Sequence, residues 1–220
     1  SLTSTKASDM DLPVEGPAAP YVEDATPPPE ENDPPKLYDE EIPITKDSLI
    51  YVVDCSGSMG LPSGMYTDLE GNAIEGTRLD RAKVELIRSL RNLSEDFDFN
   101  IVSYTCEVSP WQEQTVKATL ANKIAAESWV NNLRANWGTN TGPAVVYALK
   151  DSTNYTEVLL SDGAPGCGEA DPINAHLTMI RQGNTDHEKI HCFGIDAYGD
   201  FEQFLRTIAS ETGGKYYSIN

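Results

Sequence analysis

Residues 49–53 read Leu-Ile-Tyr-Val-Val, and this apolar run stops at a carboxylate, Asp54. A short, continuously apolar segment rich in β-branched residues, entered from polar sequence, suits a strand covered on both faces. Asp54 then lies at the carboxyl end of that strand. Ser56 and Ser58 follow on a loop that Gly57 allows to bend tightly. One carboxylate and two small hydroxyls within five residues make an oxygen cage suited to a hard divalent cation.

The rest of the chain supplies what such a strand needs around it. Residues 60–76 are glycine-rich, with Pro62 and an Asp-Leu-Glu-Gly-Asn turn signal, and read as a loop or small hairpin beside the cage. A helix is expected from about Thr77, with Asp80 three residues on as a capping-box partner and Leu79, Ala82, Leu86, Ile87, Leu90 and Leu93 on one face. Strands are expected at 99–104, 156–161, 189–195 and 215–219, with a short edge strand within 108–116. Helices are expected at 122–133, with Ile124, Trp129, Val130 and Leu133 facing inward, and at 144–149. A further helix is capped by Asp171 and opened by Pro172. The last is capped by Asp200, carries Phe201, Phe204, Leu205, Ile208 and Ala209 inward, and is stopped by Gly213-Gly214.

Strands alternating with helices predict an α/β fold: a doubly wound, mostly parallel central sheet flanked by helices. Ligands of such sheets bind beyond the carboxyl ends of the strands, where the strand order reverses. Loops carrying Asp54, Thr139 and Asp162 all reach that rim.

Residues 1–47 differ in kind. They hold 9 of the 14 prolines and 12 acidic residues against three lysines, with little apolar surface to offset the entropy of ordering. They read as an acidic, proline-rich disordered or extended arm ahead of a domain at 48–220. Leu37, Tyr38 and Ile42 are the residues by which the arm can pack along the domain or along a neighbouring copy.

Composition removes several classes of function. Asp plus Glu number 35 against 16 Lys plus Arg, a net charge of −19, which argues against nucleic-acid binding and against docking on anionic lipid. No apolar run approaches the roughly 20 residues of a membrane helix. The first residues lack the apolar core of a signal peptide, so a mature or trimmed product is expected. Cys55, Cys106, Cys167 and Cys192 are too few and too scattered for a disulfide framework; they read as small buried hydrophobes, with one disulfide at the rim as the alternative. Asn92-Leu-Ser and Asn154-Tyr-Thr match the glycosylation pattern, at the frequency chance allows. His176, His187 and His191 have no ligand spacing and read as structural.

Three separated motifs occur in order, each after the expected element: Asp54-Cys-Ser56-Gly-Ser58-Met, Gly138-Thr139-Asn-Thr141-Gly, and Leu160-Ser-Asp162-Gly. Taken singly, each is also an ordinary turn or helix cap. Together they resemble the von Willebrand factor A-type domain with its metal-ion-dependent adhesion site. The closing Ile-Ala-Ser-Glu-Thr-Gly-Gly-Lys-Tyr-Tyr is similar to the bacterial and inter-alpha-inhibitor-like branch of that family. The resemblance implies Ser56 and Ser58 as direct hydroxyl ligands, Thr139 as a direct or water-mediated ligand, and Asp54 and Asp162 acting mostly through bound waters. It implies Mg²⁺, with Mn²⁺ or Ca²⁺ as substitutes, and a protein partner that presents Asp or Glu to the cation. Trp137 stands where the family often has glycine, and the 60–76 insertion is longer than usual.

The function expected is a metal-dependent protein-binding module for adhesion or scaffolding, extracellular or at the cell surface, without catalytic activity and without membrane insertion. A self-assembling structural subunit whose amino-terminal arm docks on a neighbouring copy is the alternative. A metal-dependent hydrolase ranks behind both: the second acid that a phosphatase of the haloacid dehalogenase type needs is replaced by Ser56, and no phosphate loop or activating His accompanies the serines.

Overall fold

A computed structural model describes residues 32–220, and a single compact unit spans Asp33–Asn220. The expectation for the arm falls largely on residues 1–31, which lie outside the described residues. Its last part packs on the domain: a small hairpin of β1 (Lys36–Leu37) and β2 (Glu40–Glu41) precedes β3 (Ser48–Asp54). Leu37 and Ile42 are buried, and the Tyr38 ring stacks 5.9 Å from Phe193 while its amide donates to Glu85 Oε2 at 2.9 Å. All three residues named as anchors are thus held by their own domain.

All seven residues of β3 are buried, as an apolar run with no polar alternation requires. A 3-10 turn at Gly57–Gly60 leads into the hairpin β4 (Pro62–Thr67) and β5 (Ala73–Thr77), the expected insertion. Helix α1 (Arg78–Asn92) begins at Thr77 with both halves of the capping box formed with Asp80, and its six expected apolar positions are all buried. Then come β6 (Asp98–Tyr104), the short strands β7 (Val108–Pro110) and β8 (Val116–Lys117), α2 (Leu120–Asn131), α3 (Thr141–Leu149) and β9 (Thr156–Ser161). The chain closes with α4 (Pro172–Gly183), β10 (Lys189–Ile195), α5 (Gly199–Thr212) and β11 (Tyr216–Ile219).

The sheet order is β11-β10-β9-β3-β6-β7, with β8 also pairing β6; β3, β6, β9, β10 and β11 run parallel, and β7 and β8 antiparallel. Leu49, Tyr51 and Val53 face a core shared with α1 and α2, while Ile50 and Val52 face one shared with α3, α4 and α5. The fold is therefore the mostly parallel, doubly covered sheet that the alternation of elements predicts. The order reverses at β3, whose neighbours are β6 on one side and β9 on the other. Asp54 ends β3 and Asp162 follows β9, so both acids stand at the switch point.

Three local expectations need correction. Ile124 is 60 % exposed, because Ala126 and Val130 define the buried stripe of α2 and Ile124 lies two residues, about 200°, from Ala126. Helix α5 starts after Tyr198, not after Asp200, which instead sits in the first turn where a negative charge complements the exposed amides. Phe201 is then on the solvent side of that turn, 39 % exposed, beside Tyr198 at the rim. Gly213 does end α5, in the left-handed conformation at φ 74°.

The buried position of Ile42 has a measurable consequence. Ile42→Ala should cost about 2–4 kcal/mol in urea unfolding, as for a large-to-small change in a core; no loss of stability would show that this segment is a passive tether.

Candidate metal centre

The rim is assembled by hydrogen bonds that reach from strand ends into loops. Asp54 is fully buried; its Oδ1 accepts the Ser56 amide at 2.8 Å and its Oδ2 accepts the Ser161 hydroxyl at 2.7 Å. Ser161 Oγ in turn accepts the Gly163 amide at 2.9 Å, so one serine couples the end of β3 to the loop that carries Asp162. Ser56 and Ser58 stand with their hydroxyl oxygens 3.0 Å apart at the start of the 3-10 turn. Thr139 is fixed through its backbone, which exchanges two hydrogen bonds with Gly166 at 3.0 and 2.8 Å. Thr141 opens α3 and donates its hydroxyl to Tyr104 Oη, a supporting contact within the protein.

By these contacts Asp54, Ser56 and Ser58 stand together at the end of β3, and Ser161 ties Asp54 to the loop of Asp162. Thr139 stands on a loop whose Asn136 amide donates to the Cys55 carbonyl at 2.9 Å. Asp54, Ser56, Thr139 and Asp162 are buried and Ser58 is half-buried. Among the described residues no group of three or more His, Cys, Asp or Glu is placed to hold a metal. The donor set here is of another kind, with two carboxylates and three hydroxyls. Its electrostatics fit a cation. Burial, reinforced by the negative charge of Asp162 and opposed by the hydrogen bonds from Ser56 and Ser161, pushes the Asp54 carboxyl up to about 7. Asp162 Oδ1 is buried without a hydrogen-bond partner. A cation coordinated by the hydroxyls would supply both the missing charge and the missing partner.

Several residues of the site carried no signal that sequence reading used. Arg78, the first residue of α1, places Nη1 3.3 Å from Asp162 Oδ2 and Nε 3.2 Å from Asp196 Oδ2. Its guanidinium partly neutralises the carboxylate that faces the cage. Asp196 and Arg78 are each far from Asp162 in the chain, so no local pattern announces the cluster. Ser161, by contrast, adjoins Asp162, and its position at a buried strand end was its only cue.

The cysteines divide. Cys55 and Cys192 are free and buried, as small hydrophobes, while Cys106 and Cys167 form a disulfide with Cα atoms 5.6 Å apart. Cys106 follows β6 and Cys167 follows the Asp162 loop. Gly138, at φ 90°, packs so closely on Cys106 that a β-carbon there would overlap its sulfur, and Asn140 donates to the Thr105 and Cys106 carbonyls at 2.7 and 3.0 Å. The bridge therefore clamps the Thr139 loop between two others.

Comparison with known proteins agrees with this architecture. The sequence model of the von Willebrand factor type A domain matches residues 73–218, more than half of the chain. Thr139 and Asp162 fall inside that match, and Asp54, Ser56 and Ser58 precede it. The chain is similar to mouse inter alpha-trypsin inhibitor heavy chain 4, 27 % identical over 187 residues that cover 80 % of this chain and 18 % of that protein. It is also similar to human von Willebrand factor A domain-containing protein 3B, 26 % identical over 148 residues, covering 66 % of this chain and 11 % of that one. The chain thus spans less than a fifth of the length of these curated relatives. Among solved structures, a von Willebrand factor type A protein from Catenulispora acidiphila superposes with a TM-score of 0.63 at 21 % identity, covering 80 % of this chain and 39 % of that one. The PilB minor pilin from Streptococcus sanguinis superposes at 0.57 and 16 % identity, covering 80 % and 58 %.

Two outcomes test this construction. Replacing both Cys106 and Cys167 by Ser should lower stability by about 2–4 kcal/mol, the usual effect of opening a loop of this length, and hydrogen exchange should rise at residues 136–141 and 163–168. The chelator-treated protein should lose stability as pH rises from about 4 to 7, because the unfolded Asp54 releases its proton near 3.8 while the folded carboxyl keeps it to about 7. Stability below 3.8 is unaffected by this group, and above 7 the loss is complete. Asp54→Asn should flatten part of that slope in denaturant titrations at stepped pH; an unchanged slope would remove Asp54 as its source.

Proposed function

This chain belongs to the von Willebrand factor type A domain family, and from that membership we propose that it is a metal-dependent protein-binding module. The single observation that carries the reading is the buried Asp54 carboxylate, hydrogen-bonded to the Ser56 loop and to Ser161, with the Asp162 Oδ1 left without a partner beside it. Ser56 and Ser58 would hold the cation directly, Thr139 directly or through water, and Asp54 and Asp162 mainly by orienting the waters around it. Bound there, Mg²⁺ (with Mn²⁺ or Ca²⁺ as substitutes) supplies a positive centre with an exchangeable position for an Asp or Glu of a protein partner. Neutral hydroxyls leave the ion's charge incompletely balanced, and that residual charge is what an incoming carboxylate recognises. Arg78, paired to Asp162 and Asp196, offsets part of the acidic charge of the rim.

Adhesion or scaffolding is the setting that the family relatives support, since inter-alpha-trypsin inhibitor heavy chains and a minor pilin share this fold. An extracellular or surface location agrees with the Cys106–Cys167 bridge, which persists in oxidising compartments. Among the described residues no helix is long and apolar enough to cross a membrane. Binding rather than catalysis is supported by the serines themselves. Ser56 and Ser58 are within hydrogen-bond distance of each other, while His176 accepts the Gly142 amide and His191 lies between the Pro43 carbonyl and the Lys215 amide. Self-assembly through the arm has less support, because Leu37, Tyr38 and Ile42 are occupied by their own domain.

Calorimetric titration of chelator-treated protein with Mg²⁺, Mn²⁺ and Ca²⁺ tests the reading. Saturable binding at one rim site, weakened at least tenfold by Asp54→Ala and by Ser56→Ala, is expected; binding indifferent to both changes would sink it.

A further inference from the structure

The opposite pole of the sheet holds a second group of oxygens that the rim does not use. Glu157 is the second residue of β9, in register with Ile50 of β3 and Ile190 of β10, at the middle of the sheet. It is 0 % exposed, and neither carboxylate oxygen has a hydrogen-bond partner. Asn154, just before β9, is also buried; its Nδ2 donates to the Thr156 carbonyl at 2.8 Å and to Glu188 Oε1 at 3.0 Å, while its Oδ1 is left without a partner. Glu188, just before β10, is 6 % exposed. Among the described residues, no Lys, Arg or His forms an ion pair with Glu157 or Glu188.

Burial, and after it the charge of Glu188, drives the Glu157 carboxyl well above the usual carboxylate range. Burial also raises Glu188 to about 8, with Asp186 and Asp151 adding to it and the Asn154 hydrogen bond opposing. A proton on Glu157 removes its charge and supplies one O–H donor, which can serve one acceptor; three acceptor oxygens, both of Glu157 and the Asn154 Oδ1, have no partner. A single cation between these groups would offset both charges and give the orphaned oxygens a partner.

We propose that Asn154, Glu157 and Glu188 form a cation site at the amino-terminal pole of the sheet, suited to calcium in preference to magnesium. The donors are all oxygens, which selects a hard ion. A mixture of carboxylates and an amide carbonyl is usual for calcium, which accepts irregular shells of six to eight oxygens; magnesium demands a near-octahedral one. Glu157 and Asp162 are separated by five residues along one strand, about 16 Å, so this site and the rim are independent. The inference does not rest on the rim holding metal.

The test uses the full chain with the rim disabled by Asp54→Ala and Ser56→Ala, stripped with chelator and titrated with CaCl₂ or MgCl₂ to millimolar concentration. Calcium should raise the melting temperature of this protein and bind in calorimetry with one equivalent, and magnesium should bind at least tenfold more weakly. Adding Glu157→Gln should abolish both signals. Glu188→Gln, at the edge of the group and less disturbing to folding, should weaken calcium at least tenfold. The proposal is overturned if calcium leaves the rim-disabled protein unchanged. It is equally overturned if the calcium signal survives Glu157→Gln and Glu188→Gln, or if Glu157→Gln melts higher than its parent at every calcium concentration, which identifies a buried acid held by water alone.

Discussion

Burial of the Asp54 carboxylate at the end of β3 is the constraint on which the rest of this rim depends. A charge with no access to solvent must be met by donors, and the donors come from two directions, the Ser56 amide on its own loop and the Ser161 hydroxyl on the neighbouring strand. Because Ser161 also receives the Gly163 amide, meeting the needs of Asp54 fixes the backbone that presents Asp162. Burial and the neighbouring Asp162 carboxylate thereby disfavour the charge on Asp54. Burial of a carboxylate beside another costs stability, and the same arrangement of charge is what would favour a positive ion there.

The loops beyond the strands are held by contacts of a different sort. Covalent linkage of Cys106 to Cys167, the close seat of Gly138 on Cys106, and the paired backbone of Thr139 and Gly166 tie three loops together. Exposed Trp137 and Tyr198, at 75 % and 72 %, project from the rim loops. Apolar surface on a rigid rim suits recognition of a protein.

Much of this was legible in the sequence, and the legible parts share a cause. Residues 49–53 suit a doubly covered strand by their short length and β-branched content, and the stripe from Leu79 to Leu93 suits an amphipathic helix by its spacing, because each signal lies within one element. The capping box of Thr77 and Asp80 and the Asp171-Pro172 start are local for the same reason. Failures occur where a boundary decides the face. Starting α5 after Tyr198 instead of after Asp200 turns Phe201 outward, and Ile124 is lost to solvent because the α2 stripe runs through Ala126 and Val130.

The sequence by itself determined the alternation of strands and helices and the end of the sheet that receives the loops of Asp54, Thr139 and Asp162, and it offered Asp54, Ser56, Ser58, Thr139 and Asp162 as candidate oxygen donors there. The elements follow from short-range periodicity and the edge from the rule that parallel strands deliver their loops to one end, while the cation roles of those residues are what the family resemblance implies. Only the tertiary structure decided which cysteines are joined, that Arg78 answers Asp162 and Asp196, and that Glu157 lies beside Glu188 with its oxygens unpartnered. Those contacts join residues separated by 31 to 118 positions. Their energies depend on burial and on the absence of water, which exist only once the two faces of the sheet have been covered.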